Sequence, residues 1–96
     1  MRHYLIAQID IADRDTYTKY GEGFMEVFSR FDGTILGVDE EPTLLEGIWP
    51  YTRTVLISFP SKEQALAWYQ SDDYQAIAQF RFASSSANIT MMKGFE

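Results

Sequence analysis

Cysteine is missing from all 96 positions, and histidine occurs once, at His3. The first absence excludes disulfides, thiolate metal sites and a cysteine nucleophile. With one histidine, the two-histidine metal patterns cannot be built from a single chain. Long apolar runs are missing as well: none approaches the roughly eighteen residues of a membrane span. Eight Lys and Arg stand against fourteen Asp and Glu, a net charge of −6, so the basic footprint of a nucleic-acid binder is not there. The opening "MRHYLIAQIDIADRD" meets aspartate at residue 10 without a small-residue cleavage site, unlike a signal peptide. No G-x-G-x-x-G, no phosphate loop with lysine and no nucleophile elbow occurs. These absences lead us to expect a soluble, cytoplasmic protein with no cofactor or metal, and with neither nucleic acid nor membrane as partner.

Aromatics, at 16% of residues, are plentiful, and the hydrophobic fraction of 46% is ordinary for a globular chain. The length allows one domain, residues 1–96. In "HYLIAQIDI", residues 3–11, the odd positions Leu5, Ala7, Ile9 and Ile11 are apolar, the period of a strand with one buried face. Asp13 is placed to cap a first helix, whose stripe Tyr17, Tyr20, Phe24, Val27 and Phe31 is spaced by three and four. Asp32-Gly33 is expected to close it, with the glycine in the left-handed region. "TILGV", residues 34–38, reads as a short strand interrupted by Gly37, and "TLLEGIW", residues 43–49, as a second extended piece. "RTVLISF", residues 53–59, is the clearest central strand.

Pro60 stops that strand, and Ser61 to Gln64 fits a capping box. Ser71 recaps a second helical piece, with Asp72 and Asp73 at its positive end. Residues 87–95 close the chain as a strand, Ala87, Ile89 and Met91 opposed to Asn88, Thr90 and Met92. Two β-α-β halves of this kind predict an α+β fold, a four-stranded antiparallel sheet with helices on one face. Tyr4, Ile6, Leu56 and Met92 fall on the other face, too apolar a set for free solvent. A ligand cavity or a second sheet, brought by a twofold-related copy, would cover it.

Most polar residues have plain structural roles. Asp13, Asp15, Asp72 and Asp73 all fall at helix starts, where capping and the helix dipole explain them. Tyr17, Trp68, Tyr69 and Tyr74 carry hydroxyls or an indole nitrogen that seek partners when buried. Arg81 follows Tyr74 by seven positions and so shares its helical face, suited to a carboxylate ligand or to an acidic neighbour. These five residues are the candidate ligand-binding set. Two readings follow: a homodimer holding a small aromatic or carboxylate-bearing molecule, or a non-enzymatic protein in which the same side chains only pack.

The stretches "YLIAQIDIAD", "YTKY", "LEGIWP", "FPSKEQALAWYQSDDYQAIAQFR" and the final "KGF" resemble the DUF1330 family along essentially the whole chain. That resemblance implies a ferredoxin-like fold of the dimeric α/β-barrel type, a homodimer with its sheets facing each other. Related barrels include cofactor-independent monooxygenases and isomerases, which gives a third expectation for the cleft. Fold alone does not choose among these.

Overall fold

Alternation in the two central strands sets the layering. Strand β1 (His3–Ile11) and strand β3 (Arg53–Phe59) pair antiparallel, with Leu5 opposite Ile57 and Ala7 opposite Val55. Leu5, Ile9, Ile57 and Phe59 are buried, so this set of side chains faces the core. In the computed structural model, which describes residues 1–95, β2 (Thr34–Asp39) pairs with β3 and β4 (Ser85–Lys93) with β1. All pairings are antiparallel and the order is β2-β3-β1-β4. Ala87, Ile89 and Met91 of β4 pack against the core as their spacing predicts.

Three helices cover that face. Helix α1 (Arg14–Phe28) begins where expected, Asp13 accepting from the Thr16 amide. Helix α2 (Lys62–Tyr69) is capped by Ser61 and helix α3 (Asp72–Ser84) by Ser71. The break at Ser71 is therefore real, but the helix after it is long. Gly23 lets α1 approach α3: a Cβ there would lie 2.9 Å from Ile77 Cγ2.

The structure corrects four expectations. The sheet does not close into a barrel. β2 and β4 each pair on one side only, so the sheet is open with two free edges. A closed barrel needs a full ring of strands, about eight for an interior that side chains can fill, and four leave edges. The fold is thus ferredoxin-like, with an open sheet.

Helix α1 ends at Phe28, with Ser29 as its cap, not at Gly33. Gly33 is not left-handed; a Cβ on it would meet Phe28 Cζ at 2.5 Å and Phe59 Cζ at 2.7 Å. Its smallness admits two rings. Residues 43–49 form no strand, because they pair with no neighbour and Leu45 and Ile48 stand 89% and 86% exposed. The last strand starts at Ser85, two residues before the expected Ala87.

The open face carries Tyr4 opposite Met92 and Ile6 opposite Leu56, as their parity predicts. Trp49 and Tyr51, with ring centroids 5.5 Å apart, lie at one end of it. The Trp49 indole donates to Thr54 Oγ1 at 3.0 Å, and Asn88 donates to the Tyr51 hydroxyl at 2.9 Å.

Candidate functional site

The caps that start the helices also aim the site. From Asp13, α1 directs Tyr17, Tyr20 and Phe24 at the sheet, each three or four residues after the last. From Ser71, α3 directs Tyr74 and Arg81 at the same space. Between these side chains and the sheet lies a cavity of about 200 Å³. Leu5, Ile9, Val55, Ile57 and Ile89 form its sheet side, and the exposed Met25, Ile35 and Val38 stand at its rim. Tyr17, Trp68, Tyr69, Tyr74 and Arg81, the five residues singled out in the sequence, all line it.

The aromatic walls touch one another. Trp68 and Tyr74 have centroids 4.3 Å apart, Tyr69 and Tyr74 5.4 Å, and Tyr17 and Tyr20 5.4 Å. The hydroxyls of Tyr20 and Tyr74 share a buried hydrogen bond of 2.9 Å. Burial raises the pKa of Tyr20 far above the tyrosine norm, and the Tyr74 oxygen adds to this. Burial also raises that of Tyr17, against the opposing pull of Arg53 and Arg81. Both phenols are neutral at physiological pH.

Arg81 is only 4% exposed, unusual for an arginine without a carboxylate. Among the described residues, none of the ion pairs involves it. Its guanidinium lies 5.8 Å from the Tyr20 ring centroid and 4.8 Å from that of Phe82. Burial works against its charge, but the oxygens of Tyr74 and Tyr20 outweigh this and hold its pKa above the arginine norm. The group is cationic, and no described residue of the cavity wall supplies a carboxylate as its countercharge.

Arg53 was not among the sequence candidates, yet it lines the same cavity. It reaches Glu40 Oε2 at 3.2 Å and lies 5.8 Å from the Tyr17 centroid. A signal for it existed: Arg53 is in phase with Val55, Ile57 and Phe59 on the core face of the strand. A charge in that phase points where apolar groups point.

Three buried side-chain polar atoms among the described residues lack a hydrogen-bond partner: Arg53 Nε, Trp68 Nε1 and Arg81 Nε. All three belong to residues lining this cavity, and all three are donors. Among the described residues, no acidic one lines it. Buried polar groups are nearly always paired; these three nitrogens have almost no accessible surface, so they sit behind the cavity wall rather than opening into it. No group of three or more His, Cys, Asp or Glu side chains placed to hold a metal ion occurs among the described residues. No helix among them is long and apolar enough to cross a membrane.

The family model described as "Domain of unknown function (DUF1330)" matches residues 2–95, and the chain belongs to that family. No curated protein matches it. Among solved structures, a protein of unknown function from Rhodopseudomonas palustris is similar with a TM-score of 0.83 at 14% identity, covering 99% of this chain and 83% of that one. A dimeric ferredoxin-like protein of unknown function from Thermobifida fusca has a TM-score of 0.71 at 12% identity, covering 96% and 90%. SnoaB, a cofactor-independent oxygenase from Streptomyces nogalater, has a TM-score of 0.66 at 12% identity, covering 99% and 94%.

Proposed function

We propose that this member of the DUF1330 family binds a small organic anion, an aromatic carboxylate, in the cavity between sheet and helices. The observation that carries the proposal is the buried Arg81 cation, in no ion pair among the described residues, in the wall of a cavity that no described acidic residue lines. The carboxylate is received by Arg81, whose fork of N–H groups suits two oxygens. The ring of the ligand lies against Trp68, Tyr69 and Tyr74. A cavity of about 150 Å³ is known to hold benzene, so about 200 Å³ leaves room for one substituted ring. Pure packing explains the aromatic contacts but leaves both the space and the unpaired charge of Arg81 without a purpose. The likeness to the oxygenase extends to the fold alone, so the proposal is binding and not oxygenation.

Charge separates this reading from simple filling of an apolar hole. Benzoate is expected to raise the melting temperature progressively with concentration, and benzamide, of nearly the same shape, to leave it unchanged. Equal shifts from both, or none from benzoate across a millimolar series, would count against the anion site.

We further propose that the chain forms a homodimer through its open sheet face, each sheet remaining open. Tyr4, Ile6, Leu56 and Met92 on that face support this, and Leu44, Leu45 and Ile48 are further exposed apolar side chains. Exposed apolar groups gathered in one region mark association surfaces. Light scattering at micromolar concentration should give about twice the chain mass of 11.1 kDa. A strictly monomeric particle would refute the association.

A further inference from the structure

Two glycines lie within helix α1, Gly21 and Gly23, and packing accounts for only the second. A Cβ on Gly23 would lie 2.9 Å from Ile77 Cγ2, so close contact with α3 calls for glycine there. A Cβ on Gly21 would meet nothing within 4 Å, and its backbone is not left-handed. Neither crowding nor conformation requires glycine at that position, and glycine is the poorest helix former after proline. Gly21 does line the cavity, and it is exposed. A residue that is both stands where the cavity meets solvent. One turn away on α1 in either direction are Tyr17, buried in the wall, and Met25, exposed at the rim.

We infer that Gly21 is a specificity-determining residue of this cavity: its missing side chain is a gap in the wall through which an apolar substituent on the ligand ring reaches the rim. The inference rests on the site proposed at Arg81 and names its ligand more closely, as an aromatic carboxylate with an apolar tail. Cavity size points the same way. About 200 Å³ holds one substituted ring, so a longer molecule must leave through an opening. Outside the gap it meets apolar groups, since Met25 on α1 and Ile35 and Val38 on β2 stand exposed at the rim. A tail lying over Gly21 removes part of that apolar surface from water, which favours binding. A longer side chain at position 21 occupies the same path.

Calorimetric titration with benzoate and 4-propylbenzoate tests the inference, read as the ratio of the two affinities. In the wild type the propyl compound is expected to bind about tenfold tighter, the worth of a half-buried propyl group. Gly21→Leu should bring that ratio to one or below, with Gly21→Ala in between. Gly21→Ala should also raise the melting temperature, because alanine is the better helix former and its methyl meets nothing. A ratio near one in the wild type, or a high ratio that survives Gly21→Leu, overturns the gap while leaving the Arg81 site standing. So does a lower melting temperature in Gly21→Ala, which would make the glycine a requirement of the fold. Failure of both probes to bind the wild type overturns both readings.

Discussion

Phe59→Ala is expected to destabilise the fold by about 3–5 kcal/mol, the usual loss for a buried phenylalanine. Phe59 is fully buried at the end of β3. Its ring centroid lies 5.8 Å from that of Phe28 and 5.6 Å from that of Trp68, so it joins the sheet to α1 and α2. The hole left behind cannot easily collapse, because Gly33 already brings backbone against the same ring. Domains of this size are stable by about 5–15 kcal/mol, so the change removes a large share of the total. Urea unfolding should show a much lower midpoint, and a loss below about 1 kcal/mol would mean the aromatic cluster is not the centre of the core.

Arg81→Gln is expected to reverse that pattern, sparing the fold and damaging the site. A buried arginine inside a structural ion pair would cost about 3–5 kcal/mol when removed, because its partner charge is stranded. Arg81 has no such partner among the described residues. Losing its contacts over Tyr20 and Phe82 costs about 0.5–1 kcal/mol each, and this is offset by no longer burying a charge. The net change in stability should stay within about 1 kcal/mol. Binding is another matter, since hydrogen bonds to a charged group are worth about 1.5–3 kcal/mol. That corresponds to an affinity about 10- to 100-fold weaker for an aromatic carboxylate. A large drop in melting temperature would instead identify Arg81 as a structural strut.

Much of the fold was legible because its signals are local. Asp13, Ser61 and Ser71 cap the helices they were expected to cap, since an N-cap is an interaction over three residues. The period-two pattern in residues 3–11 and 53–59 fixed which face of each strand is buried. What failed depended on distant partners. Gly33 looks like a helix stop, but two rings far apart in sequence decide its role. Residues 43–49 have strand-like composition, yet a strand exists only where a neighbour pairs with it. Closure of the sheet was inherited from a family resemblance, and the pairing pattern of this chain contradicts it.

The site divides along the same line. Helical spacing was enough to bring Tyr74 and Arg81 together, and the aromatic wall formed around them as grouped in the sequence. That Arg81 has no carboxylate partner among the described residues could not be read, because it depends on what every other element leaves out. Arg53 stands at a strand end, where a charged residue ordinarily turns to solvent. Only the assembled sheet shows its Nε sealed beside the cavity.

The most direct measurement is calorimetric titration of benzoate into the wild type and Arg81→Gln side by side, with melting temperatures recorded for both. The account predicts saturable binding at a single site per chain in the wild type. In the variant it predicts affinity about 10- to 100-fold lower at a nearly unchanged melting temperature. Equal affinity in two folded proteins, or no binding by the wild type, would contradict the claim that this cavity is an anion site.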